Sequence, residues 1–203
     1  MTSNGTEREF KYMTISMLDA KPALVVIDLQ KGIVGMPTAH PMEGVIRHSV
    51  ALVEAFRRHG LPVVLVNVDG APPGRAERSF SLSRMPAGWT DLIGELSRQP
   101  GDHLVTKQTR GAFTNTGLEK HLRQAGVTQV VVIGVATSSG VESTARQAHE
   151  LGFNVALVTD AMTDTDADAH HNSVVRIFPK MSETGTTQQL LSLLDTTDAK
   201  RSA

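Results

Sequence analysis

The chain contains no cysteine. Disulfides, zinc–thiolate centres and thiol catalysis are therefore excluded at the outset. An excess of charge of either sign is also lacking, with 20 Lys and Arg against 21 Asp and Glu and a formal net charge of -1. Such neutrality offers no electrostatic case for a nucleic-acid or membrane-surface partner. The first twenty residues hold neither the apolar core of a signal peptide nor a membrane span, so a cytoplasmic location is the default expectation.

What is present is an ordinary globular balance, 40% apolar and 20% charged over 203 residues, which suits one domain with a substantial core. A domain over residues 21–196 is expected, followed by a short C-terminal tail at 197–203. Residues 1–20 read as a loose polar tail or as an arm ordered against a neighbouring subunit.

The most informative stretch is VVVIGVATSSGVESTAR, from Val130 to Arg146. Val130 to Val135 is short and β-branched, as suits a strand covered on both faces. Gly134 and the small residues after it permit a tight turn, and Val141, Thr144, Ala145, Ala148 and Leu151 recur at helical spacing. A strand running this abruptly into a helix aims the helix's first N–H groups above the sheet, where they favour anions and developing negative charge. Gly140 stands at the tip of that turn.

Similar patterns recur along the chain. Strands are predicted at Ala23 to Leu29, Leu61 to Val68, His103 to Lys107 and Asn154 to Thr159, the last with Asp160 at its end, and an edge strand at Lys180 to Glu183. Between them lie a helix from about Val45 to Gly60, a short one within Trp89 to Leu96, and longer ones at Asp166 to Ile177 and after Thr186. Capping boxes are expected at Thr116 with Glu119, Ser139 with Glu142, and Thr186 with Gln189. Asp69 to Gly88, rich in proline and glycine, reads as a long loop of the kind that covers a site. The alternation implies an α/β fold: three layers, a doubly wound parallel sheet with helices on both faces. Ligands of such sheets sit beyond the carboxyl ends of the strands, where Asp28, Lys107 and Gly140 fall.

Asp28 ends an apolar strand, either as a structural cap or as a working acid or base. Lys107 either faces the same crevice and stabilises a neighbouring charge or is a solvated loop lysine. At this point the chain resembles the isochorismatase-like hydrolase family, also called the cysteine hydrolase superfamily, from about Ala23 to Leu194. The resemblance rests jointly on ALVVIDLQ, LVTKQTRGAF, VVVIGVATSSGVESTARQAHELGFNV and DAMTDTDADAH. It implies a six-stranded parallel sheet and assembly into homo-oligomers, dimers or larger. It also implies a triad of Asp, Lys and Cys at the positions of Asp28, Lys107 and Gly140. A cis peptide between Val135 and Ala136 is implied too, helping to aim backbone N–H groups of Val135, Ala136 and Gly140 as an oxyanion hole.

Glycine at position 140 removes the usual thiolate attack on an amide carbonyl. The isochorismatases proper, which the chain also resembles in this glycine, cleave a vinyl ether with water and need an acid and a charge partner instead. The expectation is thus a hydrolase of a small metabolite acting through Asp28 and Lys107. Its alternatives are an inactive binding or structural oligomer of the same fold, and an amidohydrolase using water activated at Asp28. Ser138 and Ser139 precede Gly140, but no histidine base adjoins them in sequence. No metal is expected, because NVDGAPPG after the second strand has no histidine, and adjacent His170 and His171 diverge on a helix and read as surface residues. No cofactor is expected either, and no carrier-protein domain is expected beyond the last helix. Arg110 is a candidate for a substrate carboxylate or an exposed loop residue. Trp89 lines the crevice or an oligomer contact, Phe113 packs or recognises, and Gln30, Thr137 and Ser139 complete the candidates for substrate binding.

Overall fold

The computed structural model describes residues 14–77 and 85–201. Residues 1–13 of the expected tail, and part of the loop from Asp69 to Gly88, lie outside the described residues. Six parallel strands form the sheet: β1 (Pro22–Ile27), β2 (Val63–Val68), β3 (His103–Lys107), β4 (Gln129–Val135), β5 (Asn154–Thr163) and β6 (Glu183–Gly185), in the order β3-β2-β1-β4-β5-β6. The helices are α1 (Lys31–Val34), α2 (Met42–Arg58), α3 (Leu118–Gln124), α4 (Glu142–Glu150), α5 (Ala167–Asn172) and α6 (Thr187–Arg201). The expected six-stranded, three-layer α/β fold is the one observed.

Alternation along the central strands explains the layers. Leu24 and Val26 of β1 face one apolar cluster with Leu52, Val53 and Phe56 of α2 and Leu190 and Leu194 of α6. Ala23, Val25 and Ile27 face a second with Leu118 and Leu122 of α3 and Ala145 and Ala148 of α4. Strands buried on both faces read as continuous apolar runs, which is why β1, β2 and β4 were legible. Gly134 is required where β1 and β4 meet: its φ is 113°, and a Cβ there would lie 2.1 Å from the Ile27 carbonyl oxygen.

Several expectations are corrected. A turn of helix, α1, follows β1 directly, and only Gly94–Leu96 of the Trp89 segment is helical, as a 3₁₀ turn. β5 runs on to Thr163, so Asp160 lies within it rather than at its end. The Asp160 carboxylate accepts from the Thr187 N–H and hydroxyl, both at 2.8 Å, and so anchors the start of α6. β6 starts later than expected, because Phe178–Lys180 closes as a 3₁₀ turn. Of the three capping boxes, only the last forms: the Thr186 N–H donates to Gln189 Oε1 and the Gln189 N–H to Thr186 Oγ1. Gly117, at φ 74°, separates Thr116 from α3, and Glu119 turns to Arg123 instead. Ser139 lies inside a π-type turn, Thr137–Val141, while Glu142 binds Arg146 and Ser173.

Residues 14–20 lie against their own chain. Thr14 bridges Thr184 in parallel, Ser16 bonds the Glu183 carboxylate, and Ile15 and Leu18 enter the first core. Asp19 then spans the starts of β4 and β5, accepting from Thr128 Oγ1 at 2.6 Å and Asn154 Nδ2 at 3.0 Å. Asp19→Ala is expected to cost about 1 kcal/mol, lowering the unfolding midpoint by about 2–4 °C in a calorimetric scan.

Candidate active site

Strand order reverses its direction of growth between β1 and β4, and the side chains of interest gather at the carboxyl end of that junction. Asp28 follows β1 with φ 52°, a left-handed conformation that short polar residues tolerate better than most. Its N–H donates to the Val66 carbonyl at 2.9 Å, and its own carbonyl accepts from the Gln30 N–H at 2.8 Å, so the backbone is held on both sides. Lys107, last in β3, reaches past β2 and places Nζ 2.7 Å from Asp28 Oδ2. Its second acceptor is the Thr109 carbonyl at 3.2 Å. Asp28 is 4% exposed and Lys107 2%, so the ion pair is buried.

Burial pushes the Asp28 carboxyl up to about 6 from 3.8, against the pull of the Lys107 charge and its hydrogen bond. Oδ2 is taken by Lys107, whereas Oδ1 is buried without a partner among the described residues. A buried carboxyl oxygen with no donor facing it is costly to leave ionised.

Gly140 is buried beside this pair. A Cβ there would lie 2.9 Å from Ile27 Cγ2, 3.3 Å from Asp28 Oδ2 and 3.4 Å from the Val135 carbonyl oxygen. A side chain at this position would therefore start against Ile27 and close to the Asp28 carboxylate. The Val135–Ala136 peptide is cis. Beyond it, the Ala136 carbonyl accepts the N–H groups of Ser139 and Val141, both at 3.1 Å, closing the π-type turn.

Two residues of α4 that sequence reading missed tie the halves of the site together. Thr144 Oγ1, fully buried, donates to the Gly140 carbonyl at 2.7 Å and accepts the Ala112 N–H at 3.1 Å. Gln147 accepts the Phe113 N–H and donates to Thr114 Oγ1, and its amide fills the space a side chain at Gly111 would need. The loop after Lys107, whose Thr109 carbonyl orients Nζ, is thus clamped to the helix that follows Gly140. Outside that loop a cavity of about 420 Å³ is lined by Asp69, Thr106, Gln108, Thr109 and Asn115, among others.

The other candidates disperse. Gln30 is fully buried, its amide bonded to both Val68 backbone groups and the Trp89 carbonyl, so it joins scaffold to scaffold. The Trp89 ring packs on Gly32, where a Cβ would fall 2.0 Å from ring atoms. Phe113 packs on the second core, 5.9 Å from the Phe153 ring. Arg110 is exposed and makes no ion pair among the described residues. Ser139 is half-buried, with its N–H in the turn, and Ser138 donates its N–H and hydroxyl to Asp164 at 2.7 and 2.8 Å. Thr137 is buried and bonds His170 Nδ1 at 2.8 Å. His170, expected at the surface, is thus half-buried against the site's turn. Desolvation, then the neighbouring His40, hold its imidazole below the ordinary range. Adjacency in sequence hid this, because only its partner Thr137, 33 residues away, reveals the contact. Among the described residues no group of three or more His, Asp or Glu is placed to hold a metal ion, and no helix is long and apolar enough to cross a membrane.

The model of the isochorismatase domain matches residues 22–189, which spans every element just described from β1 to the start of α6. The chain belongs to the isochorismatase family. It is 39% identical over 186 residues to the uncharacterized isochorismatase family protein YwoC of Bacillus subtilis, covering 88% of this chain and 96% of that one. With the maleamate amidohydrolase of Pseudomonas putida it shares 27% identity over 86% of this chain and 87% of the relative. The solved structure of an isochorismatase family protein from Burkholderia thailandensis superimposes with a TM-score of 0.84 at 36% identity, over 88% of this chain and 98% of that one. Within this isochorismatase-family chain, Thr144→Val keeps the shape of the side chain but strands the buried Ala112 N–H. A loss of about 1–3 kcal/mol is expected in urea unfolding, with Thr144→Ser retaining most of the stability.

Proposed function

We propose that the protein hydrolyses a small metabolite without a thiol nucleophile, with Asp28 as general acid and Lys107 as its charge partner. The bond it breaks, in this reading, is of the vinyl-ether type. Gly140 then stands where the cysteine hydrolases of the family carry their thiolate, and the backbone of Val135, Ala136 and Gly140 supplies the polar lining of the turn. A homo-oligomer in the cytoplasm, working on a small molecule without a cofactor, completes the proposal.

The observation that carries the reading is the state of the Asp28 carboxyl. Lys107 donates to Oδ2, so a proton on this group sits on Oδ1, the oxygen that no group among the described residues engages. An acid held up to about 6 by burial keeps a usable protonated fraction near neutral pH, which an ordinary aspartic acid does not. Proton transfer from Oδ1 to the terminal methylene carbon of an enol ether forms a C–H bond and leaves an oxocarbenium ion. Water adds to that cation and returns a proton to Asp28. The resulting hemiketal breaks its C–O bond to release a keto acid and an alcohol. Lys107 keeps the regenerated carboxylate tolerable in its buried setting.

The maleamate amidohydrolase among the relatives makes an amide the alternative bond, with water activated by ionised Asp28. The two readings have opposite pH dependence. Because the Asp28 carboxyl is raised from 3.8 to about 6, its acid form is lost as pH climbs through about 6. Acid catalysis predicts kcat/KM falling about tenfold per pH unit above that point, whereas base catalysis predicts a rise to a plateau. A panel of isochorismate-type vinyl ethers, amides and carbamoyl compounds, assayed from pH 5 to 9, tests this directly. Asp28→Asn is expected to cost about 10²–10⁴-fold in kcat on any authentic substrate. Lys107→Met removes the cation that lowers the Asp28 value, so the limb shifts to higher pH. Turnover by Asp28→Asn at the parent rate would overturn both chemistries. Binding without turnover across the panel would favour a non-enzymatic member of the fold.

A further inference from the structure

The turn from Ala136 to Val141 is tethered from outside at three points. Thr144 holds the Gly140 carbonyl, Asp164 holds the N–H and hydroxyl of Ser138, and His170 holds Thr137. The third tether differs from the others. Thr137 is fully buried, and its hydroxyl reaches across to Nδ1 of a ring on α5, a helix that contributes no buried residue of its own between Ala167 and Asn172. The apolar core therefore gains little from holding this helix. What the helix does bring is an imidazole against the turn.

The ring is itself braced. His40, on the loop after α1, lies with its centroid 4.5 Å from that of His170 at an interplanar angle of 58°. His40 in turn is pinned through its N–H and Nδ1 to Thr163 Oγ1, at 3.2 and 3.1 Å, at the end of β5. Its neighbour Ala39 donates to the Asp164 carbonyl at 2.8 Å. The Asp166 side chain caps α5 by accepting from Asp168 and Ala169 N–H, and Ser173 at the helix's end donates to Glu142 of α4. The His40 ring thus braces one face of the imidazole from a loop tied to the end of β5, and that imidazole bonds Thr137, which follows the cis peptide.

We propose that His170 is a positioning residue, which through Thr137 fixes the backbone turn that faces Asp28 at Gly140. The role in turnover rests on the hydrolase reading above, but the tether itself does not. His170 touches no reacting atom in this scheme. Its effect is on where the turn holds Gly140 relative to the Asp28 carboxyl and the bond being protonated, and a misplaced reacting geometry costs rate more than binding.

Nδ1 makes the bond, so Asn, whose amide sits at the same distance from the backbone, is the conservative replacement, and Leu is the disruptive one. On whichever panel compound the parent hydrolyses, His170→Leu is expected to lower kcat about tenfold or more with KM changed less than about threefold. His170→Asn recovers most of that loss. Thr137→Val reproduces His170→Leu, and the double variant is no worse than either single one, since both remove the same contact. Independently of any substrate, amide hydrogen exchange at residues 137–140 is expected to speed up about five- to tenfold in His170→Leu, the ratio one lost hydrogen bond supports, and to stay near the parent in His170→Asn. Unchanged exchange in His170→Leu overturns the tether, whatever the substrate panel shows. Faster exchange with a parental kcat overturns the role in turnover. If no panel compound is hydrolysed while exchange responds as expected, the hydrolase reading and its turnover role fail and the tether stands.

Discussion

The buried pair of Asp28 and Lys107 is the constraint on which the rest of this structure turns. Removing two charges from water costs several kcal/mol per ion, and only close geometry with further hydrogen bonds recovers it. Here the lysine obtains that geometry from two acceptors, Asp28 Oδ2 and the Thr109 carbonyl, while Asp28 Oδ1 has no donor among the described residues. Burial thereby outweighs the pull of the Lys107 charge and raises the Asp28 carboxyl to about 6.

Everything needed to hold the pair comes from parallel-sheet topology. β3 lies two strands from β1, so a side chain as long as lysine is needed to cross β2. The junction of β1 and β4 brings Gly140 to the same carboxylate from the opposite side, and Gly134 lets those strands approach. Thr144 and Gln147 then join the loop after β3 to the helix after β4, tying together the segments that carry Thr109 and Gly140. Below the sheet, Asp19 performs a similar bridging task for β4 and β5 at their other ends.

Much of this was legible before any coordinates, for a physical reason. Strands buried on both faces need uninterrupted apolar runs, so β1, β2 and β4 announce themselves, and a polar residue closing such a run, as Asp28 does, stands out against it, whereas Lys107 ends the weaker, half-exposed run of β3. The readings that failed were local rules overridden by distant partners. Ser139 and Glu142 have the spacing of a capping box, yet a π-type turn and Arg146 claim them. Gln30 and Trp89 border the crevice in sequence but spend their side chains on scaffold contacts. His170 reads as a solvated helix residue until its partner across the turn is seen.

The sequence by itself determined the α/β class, the absence of thiol chemistry and the family, because composition, periodicity and a chain of specific motifs are properties of local order. Only the tertiary structure decided that Asp28 has one oxygen engaged by Lys107 and one without a partner among the described residues. It also decided that a Cβ at position 140 would lie 3.3 Å from that carboxyl, and that Thr144 and His170 hold the turn between them. Those facts depend on atoms brought within about 3 Å by strands and helices far apart in the chain, at hydrogen-bond distances that spacing along a sequence does not encode.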